Sequence, residues 1–406
     1  NSVAIGYEAL SAHTAAQPSV AVGRGALKSN VTGQYNVAVG DRALQDNTAS
    51  FNTAVGGFAL YENTTSTHNV AVGYAALEQN TTGAYNTAVG AAALDLNTTS
   101  NNNTAVGYNA LTTNTAGNNT AIGYKALEGN TTGTDNTAVG TGALVANTTA
   151  SNNTAVGKDA LNDNTTGVQN VAIGMNALSA QSTNSTNTAC GYAALKLNTA
   201  DQNSAFGANA LTANTTGAQN TAVGYNVSRQ TTTGSNNTGV GWRALDAHTT
   251  GNDNTAVGKQ ALFSVTTSSN NTAVGRDALA LCTTGGSNTA VGSIALDAVT
   301  TSSNNTAVGY AALGTNTADN NTALGYAAMS ENTTGTNCTA VGTNALDANT
   351  TGGSNTVMGV SVMGANTTGS NNVAIGSYCM DIGSGMNYNV AMGHDTARQI
   401  TTGSNN

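Results

Sequence analysis

The chain has 406 residues, of which only 8% are charged and 4% aromatic, and Gly, Asn, Thr and Ala dominate its composition. A formal net charge of -9, with the 11 Lys and Arg scattered rather than clustered, argues against a surface that binds nucleic-acid phosphates. No apolar run of about 20 residues could span a bilayer, and no charged segment followed by an apolar one opens the chain as in a signal peptide. We therefore expect neither a nucleic-acid partner nor membrane insertion of this segment.

A glycine recurs from Gly6 to Gly393, 24 times in all, at intervals of 17 residues or, in four places, 16. We call these the reference glycines and count positions from them, so that Val139 is position -1 of Gly140. A repeat of this length without a break predicts a single array, residues 1–406, in which each unit buries its apolar side chains only against its neighbours. Both ends fall inside the repeat, so we expect a segment of a longer fibre protein.

The residues that lead to each glycine alternate, as in Asn136-Thr137-Ala138-Val139-Gly140. Position -1 is always apolar, position -2 is nearly always Ala, and position -3 is Thr, Val or Ser. Alternation with a period of two predicts a short β-strand whose Thr and Val columns share one face. We interpret the Val column as facing inward, and the small Ala column as a surface against which something else packs closely.

Two variable residues follow the glycine, and then most units carry Ala-Leu, as in Ala143-Leu144. Leu is the only other large apolar residue at a fixed position. The pattern predicts a thin core worth a few kcal/mol per coil, at about 25 cal/mol per Å² of buried apolar surface, before entropy is subtracted. An isolated unit cannot fold on this core, whereas a stack of units can.

The rest of the unit reads Asn-Thr-Thr-Gly-x-x-Asn, as in Asn130 to Asn136. Gly and Asn accept a positive φ, so this segment is typical of a turn that closes the coil. All the shorter units carry Asn-Thr-Ala here instead, which places the deletion in this turn. The Asn that starts each strand is expected to stack as a ladder, since stacked Asn amides can bond to one another.

These features exclude a helical repeat, because Gly and β-branched residues recur in every unit. The sequence predicts an all-β fold, a parallel β-solenoid (β-roll) of 24 coils with a 17-residue repeat. At about 4.8 Å per coil the array would be a rod of about 115 Å. In every coil the ladder positions are those of Asn136, Ala138, Val139, Gly140, Ala143 and Leu144.

The four cysteines lie in four different columns and several coils apart. A disulfide requires a short Cα separation, so we interpret Cys190, Cys282, Cys338 and Cys379 as single substitutions in ladders.

Catalytic, cofactor and metal sites find no support in the sequence. We take His13, His68, His248 and His394 to lie at unrelated positions of the repeat, and no nucleophile motif or paired carboxylate recurs. Neither a calcium-binding glycine repeat nor an EF-hand loop occurs. We therefore expect no enzyme activity, no cofactor and no metal.

One surface column is a candidate for contacts with a receptor. Position +1 tolerates Arg, Asp, Lys and His, which indicates solvent, yet it is aromatic at nine places: Tyr7, Tyr74, Tyr108, Tyr124, Tyr192, Tyr225, Trp242, Tyr310 and Tyr326. Aromatic rings combine an apolar face with a polar tip and can stack on sugars. The alternative is that these rings only cover neighbouring coils.

The segment Asn1-Ser2-Val3-Ala4-Ile5-Gly6 resembles the head repeat of trimeric autotransporter adhesins of the YadA type. The form in Asn103 to Leu111 is similar to repeats of phage and bacterial tail-fibre proteins. The resemblance implies a left-handed parallel β-roll packed as a homotrimer, in which a small Ala column lets three rolls approach closely. The 17-residue coil is longer than that of the adhesin head, and no coiled-coil stalk, membrane anchor or self-cleaving fibre chaperone is visible.

The leading hypothesis is a non-enzymatic structural fibre or adhesin shaft, extracellular or on a virion surface, that presents a binding element for attachment to a host cell or surface. Its partners would be copies of itself, as a homotrimer and possibly end to end in a filament, and a cell-surface glycan or other receptor. One alternative is a self-assembling extracellular filament or sheath. Another is an ice-binding solenoid, which Val and Ser in the Thr column disfavour.

Overall fold

The computed structural model describes residues 2–14, 18–398 and 404. The chain divides into two compact units, Asn1–Gln202 and Asn203–Asn406. Both have the same architecture: the described residues form an all-β parallel solenoid with a repeat of about 17 residues and no helix. In this part of the chain no helix is therefore long and apolar enough to cross a membrane. The terminal residues Asn1 and Asn406 lie outside the described residues, and a single array over 1–406 stays a prediction.

Each coil contributes one three-residue strand, at positions -3 to -1. In the first unit the strands are β1 (Val3–Ile5), β2 (Val20–Val22), β3 (Val37–Val39), β4 (Thr53–Val55), β5 (Val70–Val72), β6 (Thr87–Val89), β7 (Thr104–Val106), β8 (Thr120–Ile122), β9 (Thr137–Val139), β10 (Thr154–Val156), β11 (Val171–Ile173) and β12 (Thr188–Cys190). In the second they are β13 (Ser204–Phe206), β14 (Thr221–Val223), β15 (Thr238–Val240), β16 (Thr255–Val257), β17 (Thr272–Val274), β18 (Thr289–Val291), β19 (Thr306–Val308), β20 (Thr322–Leu324), β21 (Thr339–Val341), β22 (Thr356–Met358), β23 (Val373–Ile375) and β24 (Val390–Met392).

Within each unit the strands pair in parallel with no shift of register. Ala138 of β9 lies opposite Ala121 of β8 on one side and Ala155 of β10 on the other. Equivalent residues of successive repeats are therefore neighbours in space, and the predicted stacking of glycine-marked segments is confirmed.

The interior of the coil is the Ala side of the strand. Ala138, Ala143 and Leu144 are fully buried, and Val139 is only half-buried. The interpretation of the Val column as inward-facing is wrong: the two faces of the strand are reversed. The reason is space, because the interior also holds the buried Leu of position +4, and small side chains, Ala in nearly every coil, fit beside it.

One coil of the second unit shows how tight this interior is. Position +3 of that coil is Val227 instead of Ala, and position -2 of the next coil is Gly239 instead of Ala. A Cβ on Gly239 would lie 2.5 Å from Cγ1 of Val227. The volume gained at one position is thus removed at its neighbour, as close packing requires.

The reference glycines are required by a close approach between coils. Gly140 has φ +138°, and a Cβ on it would lie 2.5 Å from the carbonyl oxygen of Gly157 in the next coil. A side chain is therefore excluded both by the backbone conformation and by the neighbouring backbone.

Three further positions adopt left-handed backbone in most coils, mainly with residues other than glycine. They are positions +2, +4 and -5, illustrated by Asp159 (φ 55°), Leu144 (φ 52°) and Asp135 (φ 58°). At +2 and -5 the sequence often places Asn or Asp, which tolerate this region best. At position +4 the residue in this conformation is usually Leu. Its backbone amide donates to a backbone carbonyl of the next coil, as from Leu144 to Ala160 at 3.0 Å.

Two ladders of buried Asn run along the coils of the first unit. In the turn ladder, at position +7, Nδ2 of Asn130 donates to Oδ1 of Asn114 at 2.7 Å and to the carbonyl of Gly133 at 2.9 Å. In the strand ladder, at position -4, Oδ1 of Asn136 accepts from the backbone amide of Asn153 at 3.0 Å. Each amide satisfies backbone groups that the coil itself leaves unpaired, so the ladders stabilise the turns from inside.

The 16-residue coils keep both ladders in register. In these coils the turn Asn bonds to the carbonyl two residues further on, as from Asn114 to Ala116 at 2.6 Å, instead of three. The predicted position of the deletion is confirmed, and the Asn-Thr-Ala sequence is explained by the shorter turn.

The turn ladder changes its chemistry in the second unit. Between Asn214 and Asn316, position +7 is occupied by residues other than Asn, all of them buried: Thr231, His248, Val265, Cys282 and Val299. The hydroxyl of Thr231 lies 3.0 Å from Nδ1 of His248. Burial lowers the pKa of His248 to about 4, against a smaller opposing effect of a hydrogen bond to the backbone of Gly251.

The cysteines are free thiols, and two of them replace ladder Asn. The thiol of Cys282 donates to the carbonyl of Gly285 at 3.2 Å, and that of Cys338 to the carbonyl of Gly352 at 3.3 Å. In other coils the ladder Asn at the same position donates to the equivalent backbone carbonyl. Burial raises the pKa of Cys282 to about 11, so this thiol stays protonated at neutral pH.

Two adjacent glycines provide a matched test of the close approach. A Cβ on Gly56 would lie 2.3 Å from the carbonyl oxygen of Gly73, whereas a Cβ on Gly57 would meet nothing closer than 3.6 Å. We expect Gly56→Ala to lower the free energy of unfolding by about 3 kcal/mol or more, and Gly57→Ala to change it by less than about 1 kcal/mol. Thermal unfolding followed by circular dichroism measures both, and equal effects would contradict the account of the reference glycines.

The buried His248 predicts a loss of stability in acid. The unfolded chain takes up the proton near the ordinary pKa of 6.5, whereas the folded chain takes it up only near 4. Stability is therefore lost as the pH falls from about 6.5 to about 4, by about 3 kcal/mol, since one pKa unit is about 1.4 kcal/mol. We expect His248→Asn, which restores the residue usual at +7, to remove this loss in amide exchange of residues 231–265. His68→Asn, at an exposed position, is the control and should leave the loss in place.

Candidate functional surfaces

The side chains at positions -3 and -1 form a continuous outer face of the sheet in each unit, which we call the Thr/Val face. Thr137 and Val139 are half-buried, and at other coils the apolar residue is more open, with Ile122 40% and Phe206 44% exposed. The face exists because the interior takes the residue between them, which is Ala in nearly every coil. With twelve strands at about 4.8 Å, it is about 55 Å long in each unit.

The Thr/Val face carries no charged side chain at any of its described positions. Position -1 is Val or Ile in most coils, and larger apolar side chains replace them at Phe206, Leu324, Met358 and Met392. A sheet face that meets water usually alternates with polar residues, and monomeric proteins rarely expose apolar surface beyond a few hundred Å². This face therefore combines a row of apolar side chains at position -1 with a row at position -3 that is mostly Thr.

The predicted ladder residues divide between the interior and the surface. Asn136, Ala138, Ala143 and Leu144 are buried, while Val139 and Gly140 are partly exposed.

The nine aromatic residues of the +1 column differ in their surroundings. Tyr108 stacks on Tyr124 with ring centroids 5.7 Å apart, and Tyr310 stacks on Tyr326 at 5.4 Å, each pair within 12° of parallel. The Tyr74 ring packs edge to face on Phe58. Tyr7, Tyr192, Tyr225 and Trp242 are exposed by 43% to 72%. The stacked rings cover neighbouring coils, yet they remain 46% to 57% exposed, so exposure does not separate them from the other rings of the column.

A second aromatic column was missed in the sequence. Tyr35, Phe51, His68 and Tyr85 occupy position -5 of four successive coils in the first unit and stack with centroids 5.1 to 5.4 Å apart. The signal was available, because all four precede the Asn that begins a strand. Their faces cover one another, so the stack offers mainly ring edges to a ligand.

Cationic and aromatic side chains meet around Trp242 in the second unit. The Arg243 guanidinium carbon lies 5.2 Å from the Trp242 ring centroid and 4.6 Å from that of Phe263. The Lys259 ammonium lies 5.4 Å from the Trp242 centroid. All three distances between a cationic group and a ring centroid are within the range of cation–π attraction. The interpretation of the Lys and Arg as scattered is therefore wrong here.

A buried carboxylate holds the two arginines of this region in place. Asp246 is almost fully buried; its Oδ1 accepts from Nε of Arg229 at 2.9 Å and its Oδ2 from Nε of Arg243 at 2.8 Å. Charge-assisted bonds at these distances fix both guanidinium groups against the coil.

Two of the four histidines occupy the same position of the repeat. His13 and His248 share position +7 of their coils, so the interpretation of all four as unrelated in phase is wrong. Both lie near turn-ladder residues, His13 with Asn30 at 3.4 Å and His248 with Thr231 at 3.0 Å. Among the described residues no group of three His, Cys, Asp or Glu is arranged to hold a metal ion.

Comparison with models of known protein families finds no match, and no curated protein matches the chain.

Proposed function

We propose that the chain is part of a non-enzymatic extracellular or virion-surface fibre, in which copies associate as a homotrimer through the Thr/Val face and carry a binding surface for a host cell. The observation that supports this most is the uncharged outer face of each unit. Its apolar residues are regular along the sheet, so a second copy aligned with the first would meet the same chemistry at every coil.

The composition of the face supports a protein partner. Val, Ile and the larger Phe206, Leu324 and Met358 vary in size from coil to coil. A packed protein interface accommodates such variation by complementary packing, as in the core of an obligate oligomer. Closed rotational symmetry lets every copy bury this same kind of surface without leaving one face open.

The trimer is tested by the mass of the full chain in solution. One chain has a mass of 40.1 kDa, so we expect a native mass of about 120 kDa. The double variant Val139→Glu with Val156→Glu should shift the mass to that of the monomer, because it would bury carboxylates of all copies near one another without partners. Native mass spectrometry and light scattering measure the outcome.

The matched control for these variants is Thr132→Glu with Thr149→Glu, two exposed turn positions of successive coils outside the Thr/Val face. It adds the same two charges and should leave the mass unchanged. A monomeric unmodified chain, or a Val139→Glu with Val156→Glu variant that still forms trimers, would contradict association through this face.

Ice binding is the second candidate, and the outward direction of the Thr column favours it more than the sequence pattern alone did. Thr120, Thr137 and Thr154 lie on successive coils of an uncharged face. Protruding side chains such as Phe206 and Met358, both exposed, interrupt the flat surface that a match to ice requires. We therefore expect no thermal hysteresis from the full chain, and a clear positive measurement would replace the fibre proposal.

A self-assembling filament or sheath shares the same lateral association and differs in whether chains also join end to end. Electron microscopy of the native material distinguishes slender spikes from long polymers.

A further inference from the structure

We infer that the exposed side chains around Trp242 form a binding site for a carboxylate-bearing sugar, such as a sialic or uronic acid residue of a cell-surface glycan. The site, here called the Trp242 patch, consists of Tyr225, Arg229, Trp242, Arg243, Lys259 and Arg276. The inference rests on the proposed attachment function and names the chemistry of its ligand.

The patch lies on successive rungs of one surface. The backbone amide of Arg243 donates to the backbone carbonyl of Tyr225 at 3.0 Å. In the same way the amide of Gln260 donates to the carbonyl of Trp242, and the amide of Asp277 to the carbonyl of Lys259, each at 2.9 Å. These bonds join neighbouring coils at the +1 column, so Tyr225, Trp242, Lys259 and Arg276 follow one another along the surface. Two large rings and two cations are thus presented side by side.

The charges of the patch do not cancel. Asp246 accepts from both Arg229 and Arg243, and Asp277 pairs with Arg276 at 3.0 Å. Lys259 contacts the Trp242 ring and, among the described residues, forms no ion pair. Asp297 lies near Asp277, so four cations face three carboxylates, which leaves a local surplus of one positive charge on a chain whose net charge is -9. An anion is the ligand that such a surplus attracts.

A cationic group elsewhere in the chain gives the contrast. In the first unit Arg24 pairs with Asp41 at 2.8 Å and Lys28 with Glu8 at 2.6 Å. A third cation of that group, Arg42, lies 5.6 Å from the Phe58 ring centroid. The Trp242 patch differs because two cations, Arg243 and Lys259, lie over one exposed ring.

The exposed aromatic rings indicate which chemical class of anion the Trp242 patch would bind. The Trp242 and Tyr225 side chains are 43% and 50% exposed, and a ring with an apolar face and a polar edge suits the body of a pyranose. Asp246 fixes the arginines in advance, so little ordering is required on binding. A sulfated polymer or a nucleic acid would need a longer track of cations than this acidic chain provides. The combination favours one carboxylate on one sugar ring.

The test uses the full chain and the fluorescence of Trp242, which is the single Trp of the sequence. We expect 3′-sialyllactose to quench or shift this emission with a roughly millimolar dissociation constant, and lactose, its neutral counterpart, to have no effect up to about 10 mM. Raising the salt from about 20 mM to about 500 mM should weaken the response, because the attraction is electrostatic.

Lys259→Gln keeps the reporter and should weaken binding about tenfold, the effect of losing a charged contact. Lys158→Gln is the matched control: Lys158 also occupies a +1 position, is 63% exposed and lies beside Asp159, and its loss should leave the titration unchanged.

The inference is overturned if 3′-sialyllactose and a hyaluronan tetrasaccharide both leave the emission unchanged, or if Lys259→Gln binds as well as the parent chain. Tighter binding of a heparin tetrasaccharide or of a thymidine oligonucleotide would equally overturn the assignment to a carboxylate-bearing sugar. Neither result bears on the mass of the oligomer, so failure of the site and failure of the fibre proposal can be told apart.

Discussion

The fold depends on one constraint: almost every group that a coil buries is completed by the coil beside it. The amide of Asn130 finds its acceptor on Asn114, and Gly140 lies so close to Gly157 that no side chain fits between them. Even the left-handed Leu144 bonds onward through its amide to Ala160. Because these contacts repeat with the period of the sequence, stability is shared between neighbours and no coil is stable alone.

The same constraint separates two kinds of position. Inside the coil the choice is narrow. The larger Val227 is offset by the smaller Gly239, and Cys282 in the turn ladder keeps the hydrogen bond that an Asn would make. Val265 and Val299 at the same ladder position have no side-chain group that could make this bond. Outside, position -1 of the Thr/Val face stays apolar in every coil but varies in size, and the +1 column varies in both size and charge.

The sequence predicted the solenoid, the strand at positions -3 to -1 and the turn that loses a residue, because period and glycine chemistry determine them. It did not predict which face of the strand is buried. Alternation is symmetrical, so Val139 and Ala138 were equally consistent with the interior, and hydrophobicity favoured the wrong one. The space inside the coil determines which face is buried. That space is limited by the buried Leu144, whose left-handed backbone conformation could not be predicted from its residue type. Tyr225 and Trp242 of the Trp242 patch were predicted as candidate contacts, but the cations beside them were not, because the members are spread over residues 225–276 and each looks ordinary alone.

The shorter coils have a consequence beyond the deletion itself. Asn114 keeps its place in the turn ladder by bonding to Ala116, two residues on, where Asn130 bonds to Gly133, three residues on. What the ladder requires is a carbonyl at the right place, and the path of the chain between amide and carbonyl is free to change. This turn is accordingly the point at which a foreign loop could be grafted into the repeat without disturbing the coils on either side.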